Sequence, residues 1–222
     1  MMDMRSLPRA GQYGCILADP AWRFETFSAA GRGRCPDGVR TNANGNFIDG
    51  ANNRPERHYE TMTPAEIKAL PVGDLAARDC VLMLWAVDSM LPLALEVGTA
   101  WGFTFKTVCF YWAKTRRVDS ARGADLSDPY EKMFPMGTGY WTRANPEPCL
   151  LFSRGKPKRI SAGVRKLIVA PRREHSRKPD EQYERIERLV AGPYLELFAR
   201  QQRPGWDAWG NEVGKFDQKE AA

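Results

Sequence analysis

Histidine is almost absent, with two in 222 residues, and the five cysteines stand apart at positions 15, 35, 80, 109 and 149 without CxxC or CxxxH spacing. That scarcity excludes the usual zinc clusters, so no metal site is expected, and an odd set of scattered cysteines is not a disulfide framework. A reducing cytoplasm fits best. No apolar run approaches the 18 residues of a membrane span, and the N-terminus lacks the basic-then-apolar layout of a secretion signal. The glycine fingerprint of dinucleotide-binding folds is missing too, as it would be where no pyrophosphate is cradled.

What is present is core-forming material. Hydrophobic residues make up 43% of the chain, with Trp 7, Tyr 7 and Phe 10, enough to offset backbone entropy and to exclude a disordered polypeptide. The length and the lack of a dividing linker indicate one domain over residues 1–222. Lys and Arg number 33 against 27 Asp and Glu, a formal charge of +6, which favours an anionic partner without choosing among nucleic acid, nucleotide and membrane surface.

Strands and helices alternate along the pattern. Tyr13–Ala18 reads as a buried strand stopped by Pro20, which has no N–H for the ladder. Residues 28–57, rich in Gly, Asn, Arg and Pro, read as one long mobile loop, and 115–145 as a second irregular one. Thr63-Pro64-Ala65-Glu66 has the layout of a capping box, opening a short helix that ends near Pro71. Strands follow at 80–85, 103–112, 148–152, 167–170 and 194–199. A helix is expected at about 89–99, closed by Gly102, and another opens at Pro179-Asp180-Glu181 with Tyr183, Ile186, Leu189 and Val190 as its apolar stripe. The alternation predicts an α/β fold, a three-layer αβα sandwich around a mostly parallel sheet whose ligands bind beyond the strand C-termini.

Asp19-Pro20-Ala21-Trp22 is the informative tetrapeptide. It reads either as an acidic turn with Trp22 at the core edge, or as a site. In the second reading the Asp19 carboxylate and the Pro20 carbonyl are two acceptors for an amino group, and the indole offers a stacking face for a base.

With flanking blocks in the same order, the tetrapeptide resembles the Asp-Pro-Pro-Trp motif of the MT-A70 family of S-adenosylmethionine-dependent adenine-N6 methyltransferases. The blocks are Tyr59-Glu60-Thr61-Met62, Leu84-Trp85, Trp112-Ala113-Lys114, Ser176-Arg177-Lys178-Pro179-Asp180-Glu181, Glu196-Leu197-Phe198-Ala199-Arg200 and Trp209-Gly210-Asn211-Glu212. The likeness spans roughly residues 13 to 213 and implies a Rossmann-like fold with permuted motif order, S-adenosylmethionine as cofactor and direct methyl transfer to an adenine amino group. It implies a catalytic set of Asp19, Pro20, Ala21 and Trp22, with Ala21 replacing the family's second Pro and loosening the turn. For the cofactor it implies Lys178 at the carboxylate, Glu196 at the ribose hydroxyls, and Phe198, Arg200, Asn211 and Glu212 around the same ligand.

Between Lys156 and Lys178 nine basic residues face one acid, Glu174, a solvated surface or a track for phosphates. Arg57, His58, Tyr59, Lys114, Arg172 and Arg173 are the expected nucleic-acid contacts; His175 reads as local structure and not as a general base. The preferred substrate is DNA, in a bacterial or phage-infected cell, because no RNA-binding module is appended. RNA, or a non-catalytic nucleic-acid-binding partner subunit of the same fold, is the alternative. No membrane partner is expected, and monomer and homodimer stay open.

Overall fold

The computed structural model of the chain describes residues 3–22, 62–116, 133–137, 141–174 and 177–217. Among these, seven strands form one sheet: β1 (Tyr13–Ala18), β2 (Ala76–Trp85), β3 (Thr104–Thr115), β4 (Glu147–Arg154), β5 (Leu167–Pro171), β6 (Tyr194–Leu197) and β7 (Trp206–Trp209). Their spatial order is β5-β3-β4-β2-β1-β6-β7. Strand β4 runs antiparallel to both neighbours, and every other pairing is parallel. The mostly parallel sheet read from the alternation is therefore present, with one reversed strand inside it.

Helices α1 (Pro64–Ala69), α2 (Val72–Leu75) and α3 (Leu91–Ala100) cover one face of the sheet and α4 (Glu181–Leu189) the other. This explains the near-continuous apolar reading of β1 and β2. Ile16, Ala18, Leu82 and Leu84 pack with Ile67, Val72, Leu75, Ala94 and Val97, while Cys15, Leu17, Val81, Met83 and Trp85 pack with Tyr183 and Ile186. Each large side chain so buried contributes on the order of 2 kcal/mol. At the start of α1, the Glu66 N–H donates to Thr63 Oγ1 at 3.3 Å and the Thr63 N–H donates to Glu66 Oε2 at 2.7 Å, the reciprocal box its sequence announces. The Trp101 indole N–H then ties the end of α3 to α1 by donating to the Ile67 carbonyl at 2.9 Å, and Gly102, at φ +86°, takes the left-handed conformation that ends a helix.

Some boundaries differ from those read in sequence. Strand β2 begins at Ala76, which pairs with Tyr13; exposed Arg78 and Asp79 hide that extension from an apolar pattern. Strand β6 stops at Leu197 and not at Ala199, because Phe198 turns to φ +62°. Strand β7 is a four-residue edge strand whose pattern is too short to read without its partner β6. The loop expected at 28–57, and residues 117–132 and 138–140 of the one at 115–145, lie outside the described residues. No helix among the described residues is long and apolar enough to cross a membrane.

Strand β1 holds the position that matters. Its sequence successor β2 lies on one side, and β6, reached only after α4, lies on the other. At such a reversal the connections diverge and leave a crevice beyond the strand ends. Asp19 follows β1 there, and Phe198 follows β6.

Candidate active site

The turn after β1 is tight and anchored. Pro20, Ala21 and Trp22 are all buried; the Trp22 N–H donates to the Pro20 carbonyl at 2.8 Å, and the Met62 N–H donates to the Ala21 carbonyl at 3.3 Å. The Trp22 indole N–H donates to the Trp85 carbonyl at 3.1 Å and the ring joins the core. These bonds and the burial of its side chains hold the turn that has alanine at position 21. One lone pair of the Pro20 carbonyl is engaged and one remains.

Only Asp19 of the tetrapeptide lines the crevice, a small open cleft. Its Oδ2 accepts from Lys178 Nζ at 2.7 Å, a contact that joins residues 159 apart in sequence. The Lys178 ammonium is 7% exposed, lies 3.6 Å from Glu147 Oε1 and sits 5.4 Å from the centre of the Trp85 ring. Lys114 completes the chain with Nζ 3.1 Å from Glu147 Oε2. Burial pushes the Glu147 carboxyl up, but the charges of Lys178 and Lys114 outweigh it and hold the group below the usual carboxylate range. Asn145 pins the end of β3 by accepting from the Lys114 N–H at 3.1 Å and donating to the Lys114 and Pro135 carbonyls at 2.8 Å each.

On the β6 side the pairing is different. Among the described residues Glu196 makes no ion pair; the Tyr183 hydroxyl lies 3.1 and 3.0 Å from its two oxygens, and Gln201 Nε2 donates to that hydroxyl at 3.1 Å. Burial pushes the Glu196 carboxyl up to about 7; the Tyr183 hydrogen bond opposes this, Asp19 adds to it, and Lys178 and Arg203 act against it. Phe198 holds a left-handed backbone that a bulky residue rarely adopts, with its ring edge-on to Trp209 at 5.7 Å. Gly210 makes this possible: a Cβ there would lie 2.6 Å from the Ala199 carbonyl oxygen. The Ala199 N–H donates to the Trp209 carbonyl at 2.9 Å.

Asp19, Lys178, Glu196, Phe198 and Arg200 are brought together in the cleft lining. Glu212 lies beside them through its 3.6 Å contact with Arg200, and its Oε2 is buried without a hydrogen-bond partner among the described residues. Asn211 is exposed and outside the lining. Lys114 is engaged with Glu147 and sits over the Trp112 ring; Arg172 is exposed on the end of β5, and Arg173 is ion-paired to Asp180. Arg57, His58, Tyr59 and His175 lie outside the described residues.

Sequence reasoning missed Glu147, Gln182, Gln201 and Phe216; it read Arg177 only as part of a matched block and of the basic stretch, and Tyr183 only as a core residue. Arg177, Gln182, Tyr183, Gln201 and Phe216 line the cleft, with the Arg177 guanidinium 5.0 Å from the Phe216 ring. The available signal was an isolated acid, Glu147, beside Pro148 at the head of an apolar strand, which needs a buried cation.

The donor set fits S-adenosylmethionine. A nearly buried ammonium suits a carboxylate, the Glu196 and Glu212 oxygens suit hydroxyl donors, and Phe198 and Phe216 present apolar faces. No group of three or more His, Cys, Asp or Glu is arranged for a metal among the described residues.

Known proteins match the sequence that builds this site. A family model described as MT-A70 matches residues 13–212. The Type II methyltransferase M.MunI of a Mycoplasma species is 30% identical over 210 residues, covering 93% of this chain and 80% of that protein. The N(6)-adenine-specific methyltransferase METTL4 of Mus musculus is 32% identical over 174 residues, 71% of this chain and 34% of its own. The N(6)-adenosine-methyltransferase catalytic subunit METTL3 of Homo sapiens is 31% identical over 208 residues, 91% of this chain and 28% of its own. The chain thus spans most of the Mycoplasma protein and about a third or less of the two mammalian ones.

Proposed function

This chain belongs to the MT-A70 family of S-adenosylmethionine-dependent methyltransferases, and from that premise we propose that it methylates the N6 amino group of adenine in a polynucleotide, with RNA ahead of DNA as substrate. The observation that carries the reading is Asp19 at the end of β1, held by Lys178 at 2.7 Å in a cleft shared with Glu196.

When bound, the cofactor supplies an electrophilic methyl group on a sulfonium. The chain's own residues supply positioning and charge. With Oδ2 on Lys178, Asp19 has Oδ1 to accept from the amino group; the Pro20 carbonyl, in the buried turn and bonded to the Trp22 N–H, is the second acceptor that the family motif implies. A purine amino group is a weak nucleophile because its lone pair is delocalised. Acceptors that stabilise the positive charge growing on N6 therefore act mainly in the transition state. Lys178 pairs with an anionic carboxylate, Glu196 and Glu212 accept from hydroxyls, and Phe198 and Phe216 offer apolar faces.

The human relative's name specifies adenosine, a ribonucleoside, and this supports RNA. The second reading, DNA, draws on the chain's 80% coverage of the Type II methyltransferase M.MunI. The test is incubation with labelled S-adenosylmethionine and sequence-matched RNA and DNA pools, followed by nucleoside mass spectrometry. N6-methyladenosine from the RNA pool is the expected product. N6-methyldeoxyadenosine alone transfers the assignment to DNA, and N4-methylcytosine alone overturns the base.

A further inference from the structure

Tyr183 stands outside every role the tetrapeptide and the cofactor-facing residues fill, yet it is the group that touches the Glu196 carboxylate. It comes from α4, across the sheet from the α1–α3 layer, is 2% exposed, and reaches both carboxylate oxygens at 3.1 and 3.0 Å. A phenol has one proton and two lone pairs. Gln201 Nε2 donates into the oxygen at 3.1 Å, so the one proton of Tyr183 is left for Glu196. The ring is fixed as well, edge-on to Trp206 at 5.3 Å and under the Arg203 guanidinium at 4.6 Å. Arg203 is in turn 3.6 Å from Glu187 of α4, which accepts the Trp206 indole N–H at 2.8 Å. The hydroxyl thus points in one direction, at one acid.

We propose that Tyr183 is a positioning residue for cofactor binding: oriented by Gln201, its hydroxyl donates to the Glu196 carboxylate and fixes it in the orientation that accepts from the ribose hydroxyls of S-adenosylmethionine. This rests on the reading of Glu196 as the ribose acceptor. The physical need for it is clear from the surroundings. The charged groups acting on Glu196 are Asp19 from the end of β1, Lys178 ahead of α4 and Arg203 ahead of β7, with Tyr183 from α4 itself. Burial and Asp19 favour the protonated acid, and a protonated carboxyl is the poorer acceptor for a ribose hydroxyl. The Tyr183 hydrogen bond works in the opposite direction and does so without adding a charge.

The experiment is titration of the full chain with S-adenosylmethionine across pH 6 to 9, with wild type, Tyr183→Phe, Gln201→Leu and Glu196→Gln compared after circular dichroism has shown each folded. The cofactor's own amine titrates in all four, and subtracting the Glu196→Gln profile removes it. Tyr183→Phe keeps the ring and its packing. It is expected to weaken binding about tenfold at neutral pH and to move the midpoint of the residual pH dependence upward. Gln201→Leu is expected to move the midpoint the same way by less, and it carries the test should Tyr183→Phe fail to fold. If Glu196→Gln weakens and flattens the profile while Tyr183→Phe and Gln201→Leu leave the midpoint in place, the positioning role is overturned and the ribose reading stands. If Glu196→Gln changes neither affinity nor profile, the ribose reading itself fails and takes the positioning role with it.

Discussion

Glu147 and Glu196 are two carboxylates of one sheet, both taken out of water and both close to Lys178, and they end in opposite states. Glu147, at the head of β4, is clasped by two ammonium groups and held below the ordinary carboxylate range. Glu196, on β6, has a phenol for its partner and is pushed up to about 7. Burial raises both. The difference lies in what the neighbouring elements deliver: β3 and the segment before α4 bring charge to Glu147, whereas α4 brings Glu196 a neutral donor. One is a permanent anion suited to anchoring a cation, and the other is an acid whose charge a bound ligand can tip. Asp19 stands between them, paired to the same lysine.

The comparison breaks hardest at its shared point. Asp19→Ala removes the acceptor of the proposed reaction, and the single-turnover methylation rate is expected to fall about 10²-fold or more, while titration shows retained cofactor binding. A rate within a few-fold of wild type would remove Asp19 from the chemistry.

Glu147→Gln takes away the carboxylate shared by Lys114 and Lys178. A folding loss of about 3 kcal/mol is expected in urea at pH 7. Because the folded-state value of this acid is depressed, the stability it contributes is present above the ordinary carboxylate value and is lost as pH falls through the folded one. Wild type and variant should therefore converge in acid. A gap that persisted unchanged at low pH would mean that the loss is one of packing.

Lys178→Met keeps the stem over Trp85 and deletes the charge. Cofactor affinity is expected to drop by about 2 kcal/mol, measured by calorimetric titration; unchanged cofactor affinity with weakened polynucleotide binding would move Lys178 to the substrate.

Glu196 has the opposite sign from Glu147. With its folded-state value raised to about 7 from the usual 4.5, the folded protein holds a proton that the unfolded chain has released. The group therefore reduces stability progressively as pH rises from about 4.5 to about 7. Glu196→Gln is expected to remove that slope, read as the difference between wild-type and variant denaturation midpoints at pH 5 and pH 7.5. An identical pH slope in both proteins would contradict the raised value.

The smallest effect concerns the basic surface. Arg172 is exposed, and Arg172→Ala should lower the magnitude of the slope of log affinity against log salt by about 0.7 for single-stranded RNA and about 0.9 for duplex DNA. Equal slopes in wild type and Arg172→Ala would return that arginine to ordinary solvated surface.

By itself, the sequence determined the strand that leads into Asp19, the capped helix at Thr63 and the blocks that supply Lys178 and Glu196. Each of these is a local code: a proline that stops a ladder, a capping box, an apolar run covered on two faces, or a contiguous motif. Strand β7 and the start of β2 escaped it, because their residues read as strand only when a neighbouring backbone is in place. The tertiary structure alone decided which charge meets which. Lys178 reaches Asp19 across 159 residues, and Tyr183, one residue of an amphipathic stripe in the sequence, becomes the donor to Glu196. The ionisation of a buried carboxylate depends on the distances to its partners and on the water it has lost. Neither quantity exists in the chain until β1, β4, β6 and α4 have packed together.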